Sequence, residues 1–334
     1  MCGLEVRAFG VGLGNRLKGS VGCVFVFMAL PPDACSLIAK YAAGSRSTLV
    51  SLSTVSKQFQ TAAERAIYNT LDVRGYDRTI AVCDILRRTP RVSMLVVALS
   101  VYGEEDESGG DDEEEDEDEA ESEPEPENDY WQVLHQALVH TTRLRFLNLY
   151  FTSGDQPDKA WILDGCTFQL KTFHSDLIWD DHLAAFLSTQ SRLCNLFLAD
   201  YREPAAEEMA PPILPASAAF LPKLAVLECT FSEAARSLVP GRPVVRVKTC
   251  FTHSKLEEKR EELRAIVAAL RRSRKRLRAL DIADSSYTPE FTLELLASLT
   301  ADGVLCADLR YVGTLVFPVD GRQVGQDAFT WEVG

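Results

Sequence analysis

Between residues 68 and 311 a short pattern recurs: apolar-x-x-apolar-x-apolar. It constrains the possible folds more than any other feature of the sequence. It reads YNTLDV at 68, VSMLVV at 92, LRFLNL at 144, LKTFHS at 170 and LCNLFL at 193. It continues as LAVLEC at 224, VVRVKT at 244, LRALDI at 277 and CADLRY at 306. The second half of a good copy alternates as a strand does, apolar on one face and polar on the other. Some copies are poor: His174-Ser175 lacks the last apolar side chain. A fixed recurrence of this kind indicates stacked units, none able to bury its apolar face alone.

The intervals between copies run 24, 52, 26, 23, 31, 20, 33 and 29. The long one contains Gly103 to Asp129, and without those residues it falls to 25. Residues 104 to 129 carry 18 of the 49 acidic residues and no lysine or arginine. The net charge of −14 therefore describes one segment, since the remaining 31 acids face 35 bases. Such a block repels itself and buries nothing, so it reads as a disordered acidic insertion, 103-129, between a strand and the next helix. Loop-closure entropy grows only logarithmically with length, so the insertion costs little. It is either a solvated loop or a tail for a basic partner.

Helical signals fill the gaps. Ile80, Cys83 and Leu86 share a face ahead of Arg87, Arg88 and Pro90. Asp129 can cap a helix with Trp131, Leu134 and Leu138 inward. Asp180 can cap one with Leu183, Phe186 and Leu187 inward. Thr288 precedes Pro289, Phe291, Leu295 and Leu299. The unit is one strand plus one helix, 20 to 33 residues long. The expected fold is α/β: an irregular solenoid of parallel strands over 68-312, with helices on the convex side. A plain α/β domain is the alternative. The last residues, 313-334, have no helical period, and Asp320-Gly321 marks a turn, so a β-hairpin cap is expected there.

Residues 30 to 68 differ from the repeats. Pro31 and Pro32 stop what precedes, and Asp33 can cap a helix burying Leu37, Ile38 and Tyr41. Further apolar sets follow at Leu49, Leu52 and Val55, then at Phe59, Ala63 and Ile67. Three short helices over 29-67 bury little surface by themselves and should lean on a partner or on the first repeat.

These residues carry a resemblance. Leu30-Pro31, Ile38 and Val55-Ser56-Lys57-Gln58-Phe59 are similar to the F-box pattern of an initial Leu-Pro, an isoleucine late in the first helix and a Val-Ser-basic-x-aromatic segment. With the repeats, the chain resembles fungal F-box proteins with leucine-rich-repeat tails. It departs from the family at Ala42, where a leucine is common, and at Asp33-Ala34. The resemblance implies a cytoplasmic or nuclear substrate adaptor of a cullin-RING ubiquitin ligase, with the F-box bound to the Skp adaptor and the repeats to a protein substrate. The implied adaptor contacts are Leu30, Pro31, Leu37, Ile38, Leu52, Val55 and Phe59. For Leu52, Val55 and Phe59, burial against the first repeat is an equal reading. The substrate face would come from positions between the apolar ones: Arg145, Asn148, Lys171, Asn195, Phe197, Glu228, Lys248 and Asp281. The alternative is a repeat scaffold with no ubiquitin role.

No chemistry-bearing motif competes. In GVGLGNRLKGS, Lys18 precedes the last glycine and Leu17 occupies the position of a required one, so neither phosphate-loop pattern is met. The five histidines show no metal spacing, no GxSxG occurs, and neither a catalytic residue nor a cofactor is expected. The nine cysteines are scattered without a CxxC pair, as in reduced intracellular proteins. The apolar run VGCVFVFMAL at 21 to 30 is too short to cross a membrane, and only PPDACS follows it where a signal peptide needs a cleavage site. Residues 1-28 are an extension of uncertain structure. Six of the eight residues from Arg271 to Arg278 are basic, as a solvated helix end, a nucleic-acid patch, or a counterpart of the acidic insertion. Nucleic acid is not the expected partner.

Overall fold

In the computed structural model the described residues are 30–103, 127–151, 159–199, 214, 219–284, 288–301, 303, 305–313 and 315. The expected N-terminal extension, nearly all of the acidic insertion and nearly all of the terminal hairpin lie outside them.

Nine strands form one all-parallel sheet whose spatial order is their order in sequence. They are β1 (Thr70–Arg74), β2 (Ala98–Tyr102), β3 (Phe146–Tyr150), β4 (Thr172–Ser175), β5 (Asn195–Leu198), β6 (Val226–Cys229), β7 (Arg246–Cys250), β8 (Ala279–Ala283) and β9 (Tyr311–Val312). Each strand pairs only with its sequence neighbours, so the chain advances one unit at a time, as an α/β solenoid does. The connecting helices include α4 (Tyr76–Arg88), α5 (Pro90–Ser93), α6 (Glu127–His140), α7 (Asp181–Thr189), α8 (Ser232–Leu238), α9 (Leu256–Arg271) and α10 (Pro289–Thr300). Ahead of the sheet lie α1 (Pro32–Tyr41), α2 (Arg46–Ser53) and α3 (Lys57–Tyr68).

The register turns the sequence signature into columns. Leu71, Leu99, Leu147, Phe173, Leu196, Leu227, Val247, Leu280 and Val312 align across the sheet. Two residues on, Val73, Val101, Leu149, Ser175 and Leu198 form a second inward column. Nearly all are fully buried and join one continuous core with Leu86, Trp131, Leu134, Leu138, Leu187, Leu263, Ile266 and Leu295 from the helices. Ser175, which breaks the apolar pattern, is buried all the same; its hydroxyl accepts from the Leu177 N–H at 3.0 Å. The missing apolar group is thus replaced by a satisfied polar one.

The strands begin on a shared backbone ladder. The Asn69 carbonyl accepts from Val97 and Ala98, at 2.9 and 3.0 Å, and the Arg145 carbonyl from Lys171 and Thr172, at 2.7 and 3.1 Å. Polar side chains close other turns. Gln190 accepts from the Leu170 N–H at 2.9 Å, and the Ser273 hydroxyl donates to carbonyls of Arg242 and Val244, at 3.0 and 2.9 Å. These groups give buried turn backbone the partners it requires.

Two of the nine copies fall elsewhere than expected. Residues 90 to 93 are a short helix opened by Pro90, and the strand lies at Ala98–Tyr102. Val96, Leu99 and Val101 are the true copy. Cys306–Asp308 is likewise a turn of 3-10 helix, with Tyr311–Val312 as the strand. Pairing decides: Leu99 must face Leu71 and Leu147, and a one-residue slip would turn the apolar side outward. The acidic insertion leaves after β2 and returns at α6, between a strand and the next helix. The helix already includes Glu127 to Asp129, so Asp129 is inside it rather than before it. At the exit, Gly103 donates to the Tyr150 carbonyl at 2.8 Å, and a Cβ there would sit 2.9 Å from the Phe151 oxygen. Only glycine fits that approach.

Among the described residues, four helices start on side-chain caps. Asp180 accepts from the Leu183 N–H at 2.8 Å and Thr288 from the Phe291 N–H at 3.2 Å, as the sequence predicts. Ser45 and Ser56 cap α2 and α3. Asp33 does not cap α1: Pro31 holds the N-cap position, and Asp33 lies in the first turn.

Candidate partner-binding surfaces

The three N-terminal helices have their own small core of Cys35, Ala39, Leu49, Ala62 and Ala63, separate from the core of the sheet. The inner face of α1 is therefore its small face. Small side chains on α1 and α3 leave room for close packing, and the large residues of α1 have no place inside. Leu37, Ile38 and Tyr41, expected to be buried, are all exposed, Tyr41 at 84%. Leu30, Val50 and Val55 are exposed as well, Val55 at 64%. These six are more than half of the eleven exposed large hydrophobic side chains among the described residues. Exposed apolar surface concentrated in this way is characteristic of surfaces through which proteins make contacts.

The seven expected adaptor contacts divide. Leu30, Pro31, Leu37, Ile38 and Val55 are exposed. Leu52 and Phe59 are half-buried and pack on the unit's own core rather than on the first repeat. Tyr41 and Val50 belong to the exposed set and were missed. On α1 the inner positions are filled by the small residues Cys35 and Ala39, whereas on α2 the inner residue is Leu49. The unit is tied to the first repeat by Tyr68, which packs on the main core, and by Glu64, whose carboxylate accepts from the guanidinium of Arg91. That pairing holds the Glu64 carboxyl below its ordinary range.

A second surface is the sheet face opposite the main core. Its central column reads Asp72, Ser100, Asn148, His174, Phe197, Glu228, Lys248 and Asp281, in register. Of the eight expected substrate contacts, Asn148, Phe197, Glu228, Lys248 and Asp281 stand together in this column. Asn195 lies one column away, where its amide donates to Thr172 Oγ1 at 3.2 Å. Arg145 and Lys171 do not join them. They sit in the turns before β3 and β4, and Arg145 donates to the Gln169 carbonyl at 2.7 Å.

The column changes character along the sheet. At its middle it is aromatic: His174 lies edge-on between Phe197 and, from an adjoining column, Phe146, with ring centroids 5.7 and 5.5 Å away. The Asn148 amide donates to the Tyr102 hydroxyl at 3.0 Å, and the Arg74 guanidinium lies 4.7 Å over that ring. Burial holds His174 below its ordinary pKa, opposed by the charge of Glu228. Toward the end the column is charged: Lys248 pairs with Glu228 at 2.8 Å, which raises the lysine's pKa. Tyr102, Phe146 and His174 were not among the expected contacts, although Phe146 occupies the position of Asn195 in its copy and His174 that of Asn148 and Phe197.

The charged helix α9 holds what the sequence hid most completely. Leu263, Ile266, Val267 and Leu270 face inward, Leu256 is exposed, and Lys259 and Glu262 are buried. Lys259 Nζ lies 2.6 Å from Asp284 Oδ2, with both side chains more than nine-tenths buried. Glu262 accepts from the backbone N–H groups of Thr252 and His253, at 2.8 and 3.4 Å.

Among the described residues no group of three or more His, Cys, Asp and Glu side chains is arranged to hold a metal ion. His182 pairs with Asp164 at 2.9 Å, and Asp180 beside it is spent on its cap. The seven described cysteines are free thiols. Burial pushes Cys83, Cys166 and Cys229 up to about 12, which suits apolar packing and not nucleophilic chemistry. No helix among the described residues is long and apolar enough to cross a membrane. No protein-family model matches the sequence, and no curated protein matches it.

Proposed function

We propose that the chain is a non-catalytic adaptor of the F-box type, intracellular, whose N-terminal helical unit docks on the Skp adaptor of a cullin-RING ubiquitin ligase. The repeats, read as an irregular leucine-rich-repeat array, hold a protein substrate on the open sheet face. One observation carries this reading: Leu30, Leu37, Ile38, Tyr41, Val50 and Val55 are exposed on a unit that already has its own core. Burying them against a helical groove would gain hydrophobic free energy without unfolding anything. The open face supplies aromatic anchors in Phe146, Phe197 and Tyr102, a residue class that dominates binding hot spots.

A scaffold reading, in which the three helices only cap the first repeat, draws on the Glu64–Arg91 pair and the seating of Tyr68. A pulldown with purified Skp adaptor separates the two. The full chain is expected to bind, and the double variant Leu30→Asp with Leu37→Asp to lose binding with its melting temperature retained. Failure of the wild-type chain to bind leaves the scaffold reading; binding that survives the double variant places the interface elsewhere.

A further inference from the structure

In an all-parallel sheet every strand starts on the same edge, so the turns that precede the strands form one continuous rim. This rim is basic. Arg145, Lys171, Arg192, Lys223, Arg274 and Lys275 lie in turns before β3, β4, β5, β6 and β8, and all are exposed. The helices end on this edge, and a cation near each C-terminus offsets the helix dipole. That accounts for about one charge per helix. It does not account for the turn after α9, where Arg272, Arg274, Lys275, Arg276 and Arg278 follow one another.

The tertiary structure adds what the sequence run does not show. Lys223, Arg274 and Lys275, about 50 residues apart in sequence, line one depression of about 400 Å³ with Pro222, Ala225 and Pro243. Among the described residues no carboxylate pairs with any of these three cations. From the turn before β3 to the turn before β8 the rim runs five strand spacings, roughly 24 Å. An extended peptide of about seven residues covers that length.

We propose that this rim is a binding site for an extended acidic polypeptide segment, seated in the depression of Lys223, Arg274 and Lys275 and running toward Arg145. Its cations lie in a row along the turns, which fits one extended chain; the paired phosphate rows of a duplex need a broader field. Among the described residues no aromatic side chain, the platform on which single-stranded nucleic acids stack their bases, lines the depression. The site is independent of the N-terminal helices and does not rest on a ubiquitin-ligase role.

The test is fluorescence anisotropy on the full chain with a labelled peptide of about ten glutamates, at about 50 and about 200 mM salt. A glycine-serine peptide and a thymidine oligonucleotide of equal length are the comparison probes. Saturable binding of the acidic peptide is expected, weakened by salt and by roughly tenfold or more in the triple variant K223E, R274E and K275E. Circular dichroism checks that this variant is folded. A chain lacking 104–126 is measured alongside, so that the protein's own acidic segment cannot mask the site. No binding by either chain, equal binding by the triple variant, or tighter binding of the oligonucleotide than of the peptide would overturn the proposal.

Discussion

Replacing Asp284 by alanine tests the packing of the last repeats. Asp284 follows β8 and meets Lys259 of α9 at 2.6 Å, with the two side chains 6% and 4% exposed. Removing the carboxylate takes from a buried ammonium group the charged acceptor 2.6 Å away, a change that costs about 3–5 kcal/mol. For a folded body of this size, each kcal/mol lowers the melting temperature by about 2–4 °C, so a fall of roughly 6–20 °C is expected. The pair as a whole is worth much less than this loss, because burying two charges is itself expensive. The double variant Lys259→Met with Asp284→Leu removes both charges and should recover most of the loss. The exposed pair Lys255–Glu258 at the start of the same helix serves as the control, and its removal should change little. Thermal melts followed by circular dichroism measure all three. Because stacked units depend on their neighbours, hydrogen exchange in Asp284→Ala should rise first in α9, β8 and α10. A shift under about 2 °C for the single variant, or a double variant as damaged as the single, would refute the reasoning.

Deleting 104–126 should leave the melting temperature within about 1–2 °C of wild type, because the segment lies in sequence between the end of β2 and the start of α6 and closure entropy changes only slowly with length; a large fall in a thermal melt would show that it contributes to packing. His174 gives a pH dependence of defined sign. Its folded pKa lies below the unfolded value of about 6.5, so the unfolded chain takes up the proton first. Stability is therefore full above about pH 6.5 and declines as pH falls toward the folded pKa, and His174→Gln should flatten that part of a melting-temperature profile. Cys83, Cys166 and Cys229 should react with a thiol reagent far more slowly in the native chain than in urea, followed by absorbance; rapid labelling in native buffer would contradict their burial.

Much of the architecture follows from the sequence because a parallel strand and its neighbour share one local rule. At 144, 170, 193, 224, 244 and 277 the apolar pattern and the strand coincide, and the long interval before 144 locates the insertion. The rule fails at 92 and 306, where a leucine-rich chain offers more than one match. Pro90 starts a helix at the first, and contact with the adjacent strand selects the register at both. The capping residues Asp180 and Thr288 were legible for the same local reason, since the bond they make spans three residues.

The sequence by itself determined the repeat, the parallel stacking it demands, and the position of the acid-rich segment in the interval between one strand and the following helix. Only the tertiary structure decided which side of a short helix faces inward. On α1 the small side chains Cys35 and Ala39 are inside, and the large ones are left for solvent or a partner. Tertiary structure alone also joined Lys259 to Asp284, gathered Lys223 with Arg274 and Lys275, and divided the expected substrate residues between the open face and the rim. The physical reason is the same in each case. Local pattern fixes what a segment can become, whereas burial and charge pairing depend on segments brought together from far apart along the chain.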